Sequence, residues 1–250
     1  MDLTVVLPTY NEAENLPRIV NALLELKLQD TTLSILVVDD NSPDGTGQIA
    51  DELHAQYPER IQVLHRKNKE GLGRAYLDGF QVALDDGADA ILQMDADFSH
   101  QPHYIPAMLA ALKEADFVVG SRFTKGGSVD ERWAWWRKLL SWFANSVYVR
   151  LILRTPIRDA TGGFKLWRRE TLIGMDIQNR IRSNGYIFQV EMNYVALRLG
   201  YKAVEIPIYF PDREFGESKM SFHIQYEAAA RVFQVWWRHR KLTAADRAKT

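Results

Sequence analysis

Residues 3–28 read LTVVLPTYNEAENLPRIVNALLELKL: a short β-branched apolar run closed by Pro8, then apolar residues recurring at helical spacing. That is a strand running into a helix. The alternation repeats in LSILVVDD (33–40) before GTGQIADELHAQY (45–57), and in IQVLHR (61–66) before GLGRAYLDGFQVALDDG (71–87). It returns in ADAILQMDAD (88–97) before HYIPAMLAALKEA (103–115), and ends with DFVVGSRF (116–123). Repeated βα units of this length predict an α/β fold, a mostly parallel sheet with helices on both faces. In such sheets ligands collect beyond the carboxyl ends of the strands.

The polar residues follow that rule. PTYNE, DDNSPDGT, DADFSH and GSRF each close a predicted strand, so four strand ends are expected to form one site. Asp95 and Asp97 stand one residue apart, where like charges repel unless something positive lies between them. A hard divalent cation supplies that charge, and Mg²⁺ takes only one or two protein carboxylates beside substrate phosphates. In VVDDNSPDGT the turn formers account for the turn but not for Asp39 and Asp40 before it. Acids at this point of a nucleotide-binding sheet accept hydrogen bonds from a base or ribose, and Asp40 is the favoured contact.

After Arg122 the pattern changes. RWAWWRKLLSWFANSVYVRLILR (132–154) and SFHIQYEAAARVFQVWWRHRK (221–241) are aromatic, basic and helical in pattern. In the first, Trp136, Leu140, Phe143, Val147 and Leu151 form a predicted stripe flanked by Arg137, Lys138 and Arg150; in the second, Phe222, Tyr226, Phe233 and Trp237 do so. Such helices lie in a lipid headgroup region, or pack as core or as an interface between subunits. Arg137 and Ser141, four apart, share a face suited to clamping one phosphate together with Arg122.

Composition limits the alternatives. The chain has 250 residues, 46% hydrophobic and 25% charged, with a formal net charge of -1. There is no global basic field, so no nucleic-acid partner is expected. The absence of cysteine excludes disulfides, thiolate zinc sites and cysteine nucleophiles, and fits a reducing compartment. MDLTVVLPTYNE lacks the basic start and apolar stretch of a signal peptide, and no apolar run approaches a spanning helix. One domain over 1–240 is expected, with a nucleotide-binding half (1–123), an acceptor- and membrane-facing half (124–240) and a frayed tail (241–250).

In this order, VVLPTYNEAENL, VVDDNSPDGT, GLGRAYLDGF, MDADFSHQP, GSRF, RDATGGFKLWRRETL, GYIFQVEM and DREFGESKMS closely resemble the dolichol-phosphate mannosyltransferase catalytic subunits. These are family-2 inverting glycosyltransferases of GT-A fold, and the compact type without spanning helices is the one resembled. The resemblance implies transfer of mannose from GDP-mannose to a polyprenyl (dolichyl-type) monophosphate with Mg²⁺ or Mn²⁺. It implies work at the cytoplasmic face of a membrane, with a small membrane subunit as a possible partner. Pro8, Tyr10, Glu12, Val38 and Asp40 would hold base and ribose, Asp95 and Ala96 would line the donor site, and Asp97 would bind the metal. Some relatives carry a metal-contacting Gln where this chain has Ser99. Arg122, Arg213 and Lys219 would bind phosphates or sugar, the last two on a closing loop, and an Arg-x-x-x-Ser pair like Arg137 and Ser141 follows GSRF in relatives. Asp97, Arg122 and Lys219 are the expected catalytic residues. A phosphate acceptor with a second pKa near 6 is already mostly ionised at neutral pH, so no general base is required. His100 is read as structural or capping, and Asp159 as orienting neighbours or capping a turn. UDP-glucose as donor is the alternative, and a non-enzymatic interaction module on a degenerate transferase fold the more distant one.

Overall fold

The computed structural model describes residues 1–211 and 222–249, with Tyr186 and residues 222–230 as backbone. The predicted alternation is present as β1 (Asp2–Thr9), α1 (Leu16–Leu24), β2 (Thr32–Asp39), α2 (Thr46–Gln56), β3 (Ile61–His65), α3 (Leu72–Asp85), β4 (Ala90–Gln93), α4 (Ile105–Leu112) and β5 (Phe117–Ser121). There follow β6 (Ser128–Val129), α5 (Trp135–Trp142), a π-helical stretch (Phe143–Val149), α6 (Arg150–Leu153), β7 (Lys165–Arg168), α7 (Arg169–Met175) and α8 (Ile177–Arg180). The described chain closes with α9 (Tyr186–Arg198), β8 (Ala203–Pro207), β9 (Tyr209–Phe210) and α10 (Phe222–His239).

The main sheet runs β3-β2-β1-β4-β7-β5-β8. β1 pairs in parallel with β2 and β4, and β2 with β3, while β7 is antiparallel to both β4 and β5. An antiparallel strand between two others leaves those two pointing the same way. The carboxyl ends of β1, β2, β4 and β5 therefore share one edge, and the start of β7 shares it too. Lys165, the first residue of β7, pairs with Gln93 and with Val119. This geometry brings the turn-rich segment 158–164 into the site, and strand order alone does not disclose it.

Both faces of the sheet are covered, which explains why its strands are nearly continuous apolar runs. Leu3, Val5 and Leu7 pack on one side with Leu16, Ile19 and Leu23 of α1 and Met108 of α4. On the other, Val6, Leu36 and Val38 meet Tyr76 and Phe80 of α3 and Phe188 and Met192 of α9. The approach of α3 is set by Gly79, where an added Cβ would stand 2.6 Å from Val6 Cγ1 and 2.9 Å from Val38 Cγ2.

Two expectations change. The tryptophan-rich segment is not one regular helix, because the π-helical stretch resets the side-chain period between α5 and α6. Trp136, Leu140, Phe143 and Leu151 are exposed, whereas Val147 of the expected stripe is half-buried. The tail, expected to fray, is docked as far as Ala248, whose N–H donates to the Gly174 carbonyl at 3.0 Å. Thr243 and Asp246 form a reciprocal cap, and Arg247 Nε donates to the Leu199 carbonyl at 2.8 Å while its guanidinium lies over Tyr201.

One buried carboxylate ties α10 to the body. Glu191 on α9 accepts hydrogen bonds from the backbone N–H groups of Arg182 and Ser183 (2.9 and 2.7 Å), from His239 Nε2 (2.8 Å) and from Arg238. Burial by itself would raise this carboxyl, but the bonds from His239, Ser183 and Arg182 outweigh it and hold the group at about 2. A folded-state value below that of the unfolded chain contributes stability above pH 4.5, which is lost as pH falls toward 2. The contribution at neutral pH is about 3 kcal/mol. Glu191→Gln is therefore expected to be clearly less stable at pH 7 in urea titrations, with the gap to the parent narrowing steadily below about pH 4.5.

Candidate active site

The edge defined by β1, β2, β4 and β5 carries the predicted acids, and the fold treats them differently. Asp39 is spent on the loop: its carboxylate accepts from the Ser42 hydroxyl at 2.6 Å and the Ser42 N–H at 3.2 Å. Asp40 faces Arg66, whose side chain is only 6% exposed and which also reaches Asp78 at 2.9 Å and Glu70 at 3.0 Å. Burial raises the Asp40 carboxyl above its ordinary value in spite of the bond and charge of Arg66. Beside them, Lys69 Nζ lies 3.4 Å from the centre of the Tyr10 ring. The Glu12 N–H donates to Thr46 Oγ1 at 2.9 Å, and its carboxylate accepts from Asn15 at 2.8 Å. Pro8 is half-buried at the end of β1, and Val38 is buried beneath in β2.

Asp95 and Asp97 lie just beyond β4, not within it. Asp95 Oδ1 accepts the Tyr76 hydroxyl at 2.9 Å, and the Asp95 N–H donates to His100 Nδ1 at 2.9 Å. An accepting Nδ1 places the proton of a neutral imidazole on Nε2. Burial lowers the His100 pKa, against the pull of Asp95 and Asp97, which keeps that ring neutral at pH 7. His100 also stacks on Phe164, with centroids 5.1 Å apart. It is a structural support, as its residue type alone allowed. Asp97 accepts the Ser99 N–H at 3.0 Å and the Ser99 hydroxyl at 2.5 Å, and Phe98 between them takes a left-handed φ of 59°. Ser99 thus orients Asp97. Ala96 is buried between the two acids.

Arg122, at the end of β5, is already paired. Its Nε and Nη2 donate to the two oxygens of Asp159 at 2.8 and 2.7 Å, and its backbone N–H adds a third bond at 2.9 Å. Asp159 is fully buried, and the N–H groups of Arg158 and Asp159 are held in turn by Glu205. Of the two readings of Asp159, orientation of a neighbour is the one the geometry carries. The guanidinium also contacts Phe210 at 5.1 Å. Phe210 meets Trp133 edge-on at 6.2 Å, and Arg137 lies over Trp133 at 3.8 Å. One aromatic layer therefore connects Arg122 to Arg137. Ser141, one turn on, is half-buried, and its carbonyl accepts from Asn145 at 2.9 Å. Arg213 and Lys219 lie outside the described residues.

Sequence reading missed Arg66, Lys69, Tyr76 and Phe210, each of which acts across the fold on a residue distant in the chain. It also missed a buried layer under the site. Lys165 Nζ, fully buried, donates to the carbonyl and the side-chain oxygen of Gln189 at 2.9 Å each, and Gln93 donates to that same oxygen at 2.6 Å. Burial drives the Lys165 pKa well below its ordinary value, partly offset by Asp159. Gly163 threads between these parts: an added Cβ would sit 3.0 Å from His100, 3.5 Å from Gln189 and 3.7 Å from Asp95 Oδ1.

The donor set suits a divalent cation of the hard type. No group of three or more His, Cys, Asp or Glu side chains forms a metal cage among the described residues. Two oxygen-bearing acids at one edge match an ion that takes few protein ligands and completes its shell from phosphates.

The fold and this acid-lined edge define a GT-A glycosyltransferase. The model for "Glycosyl transferase family 2" matches residues 4–174. The chain is 45% identical over 232 residues to undecaprenyl-phosphate mannosyltransferase of Micrococcus luteus, covering 93% of each. It is 46% identical over 218 residues to polyprenol monophosphomannose synthase of Mycolicibacterium smegmatis, covering 87% of this chain and 80% of that one. The chain belongs to glycosyl transferase family 2, in its polyprenyl-phosphate mannosyltransferase branch. Among solved structures, a mannosyltransferase from Pyrobaculum calidifontis in complex with GDP-Man and Mn²⁺ has a TM-score of 0.61 at 17% identity, over 99% of this chain and 65% of that one. Glucosyl-3-phosphoglycerate synthase from Mycobacterium tuberculosis, with Mn²⁺ and UDP-glucose, has a TM-score of 0.63 at 15% identity, over 96% of this chain and 79% of that one. At these identities the likeness is one of fold.

The Arg122–Asp159 pair yields a test. Removing one partner strands the other charge in a buried site, so Asp159→Asn is expected to cost about 3 kcal/mol. The double variant Arg122→Gln/Asp159→Asn is expected to lose less than the two single variants summed, with a coupling of about 1 kcal/mol or more in urea unfolding.

Proposed function

We propose that this chain transfers mannose from GDP-mannose to a polyprenyl monophosphate, with inversion, at the cytoplasmic surface of a membrane. The observation that carries the reading is the pair Asp95 and Asp97, oriented by Tyr76, His100 and Ser99 on the same strand edge as Asp40 and Tyr10. It is supported by the named activities of the two mannosyltransferase relatives and by the nucleotide sugars and Mn²⁺ bound in the structural neighbours.

In this reading residues 1–123 hold the donor. Tyr10, Glu12, Pro8, Val38 and Asp40 take the base and ribose, and Asp95 and Ala96 line the same donor site. Asp97 is the principal ligand for Mg²⁺ or Mn²⁺, which when bound neutralises charge on the leaving diphosphate. Arg213 and Lys219 stabilise the same developing charge. Residues 124–240 receive the acceptor. Arg137 and Ser141 bind its phosphate beside Arg122, whose pairing with Asp159 makes it a fixed donor plane with its charge already half-engaged. Preorganisation of this kind removes the cost of reorienting a long side chain as the reaction proceeds. The acceptor phosphate oxygen attacks the anomeric carbon in line with the departing diphosphate. It is already ionised at neutral pH, so no proton need be removed by the protein. His100, neutral and buried, has no part in proton transfer.

None of the described helices is long and apolar enough to cross a membrane. The exposed Trp135, Trp136, Trp142 and Phe143 with their neighbouring cations suit a peripheral contact with lipid. Lipid product should form from radiolabelled GDP-mannose and a short polyprenyl phosphate with Mg²⁺ or Mn²⁺, and stop on chelation. Asp97→Asn is expected to lower kcat/KM by about a hundredfold or more while leaving the unfolding free energy from urea titration within about 1 kcal/mol of the parent. Preferential turnover of UDP-glucose, or full activity of Asp97→Asn, would defeat the proposal.

A further inference from the structure

The end of the tryptophan-rich segment and the last turns of α10 enclose a groove of about 790 Å³. None of the acids and cations assigned above to donor, metal or acceptor phosphate lines it. Four cations do: Arg154, Arg198, Arg240 and Lys241, with no Asp or Glu lining it among the described residues. Arg198 Nη2 pins the turn after α10 by donating to the carbonyls of Arg240 and Leu242 at 2.7 Å each, and its Nε is buried without a hydrogen-bond partner. Arg240 lies over Trp237 at 3.3 Å and Trp236 at 5.2 Å. Arg154 and Lys241 are exposed and form no ion pair among the described residues.

Four like charges around one concavity repel one another, and an anion seated there relieves the repulsion. The rim narrows the choice of anion. Leu151 is 72% exposed and Phe233 is 53% exposed, and both line the groove. A small soluble anion has no use for a leucine and a phenylalanine held outward beside its charge, whereas an amphiphile uses both parts.

We infer that this groove binds the headgroup of an anionic phospholipid, with its acyl chains against Leu151 and Phe233. This second site is separate from the acceptor-phosphate position at Arg122, Arg137 and Ser141, and it rests on the reading that this face meets a membrane. It orients the enzyme on the surface without taking part in transfer. Cations near an anionic bilayer each strengthen attachment severalfold, and a shaped pocket concentrates that effect on particular residues.

The test is flotation of the full chain with vesicles of phosphatidylcholine alone or mixed with phosphatidylglycerol. The parent is expected to partition onto the mixed vesicles about tenfold or more above the neutral ones. Arg154→Gln/Lys241→Gln should lose about tenfold on the mixed vesicles and nothing on the neutral ones. A control pair of exposed lysines elsewhere, Lys27→Gln/Lys113→Gln, should lose neither, and excess soluble glycerol phosphate should not displace the parent. Equal binding to both vesicle types leaves the membrane reading standing and overturns this site. Equal loss in the control pair replaces it with diffuse attraction, and displacement by glycerol phosphate replaces the lipid with a free anion. Absence of binding to either vesicle removes the membrane reading as well. Transfer assayed with detergent-solubilised acceptor reports separately on the catalytic proposal.

Discussion

The structure depends on how it keeps several carboxylates together at one edge of a sheet. Asp39, Asp40, Asp95, Asp97 and Asp159 come from three separate stretches of chain, and their mutual repulsion must be answered. Asp40 and Asp159 are each met by a guanidinium, Arg66 and Arg122. Asp39 is absorbed into its own turn through Ser42. Asp95 and Asp97 receive hydroxyl and amide donors from Tyr76, Ser99 and the backbone. Hydroxyl and amide donors of this kind orient a carboxylate toward the edge, where a hard cation and the phosphates it carries would be held.

The same edge is built against a buried polar layer. Lys165, Gln189 and Gln93 satisfy one another behind Asp95 and His100, and Gly163 allows the segment ahead of β7 to pass through the space between. Such a layer is stabilising only when its members are paired. On the opposite side, Phe210 contacts His100, Arg122 and Trp133 together, so the acid edge and the start of the tryptophan-rich segment share one rigid wall.

Much of this was legible in the chain. The βα alternation, the acids at the strand ends and the structural role of His100 all follow from local pattern and residue chemistry. Other features follow from pairing across distance. Arg66 looks like an ordinary cation after a strand, and only the parallel register of β2 and β3 puts it beside Asp40. Tyr76 reads as one more apolar helix position, and the packing of α3 aims its hydroxyl at Asp95. The tail reads as small and charged, yet its cap and Arg247 dock it.

Local sequence, then, determined which segments are strands and helices, that the strands are buried on both faces, and which residues at their ends carry chemistry, because side-chain period and turn preference act over a few residues. Only the tertiary structure decided that β7 enters antiparallel between β4 and β5, that Asp159 pairs with Arg122 and fixes its plane, and that a π-helical stretch breaks the aromatic stripe. Those outcomes depend on which distant surfaces pack together, and packing energy is a property of the whole assembly of elements, not of any one of them.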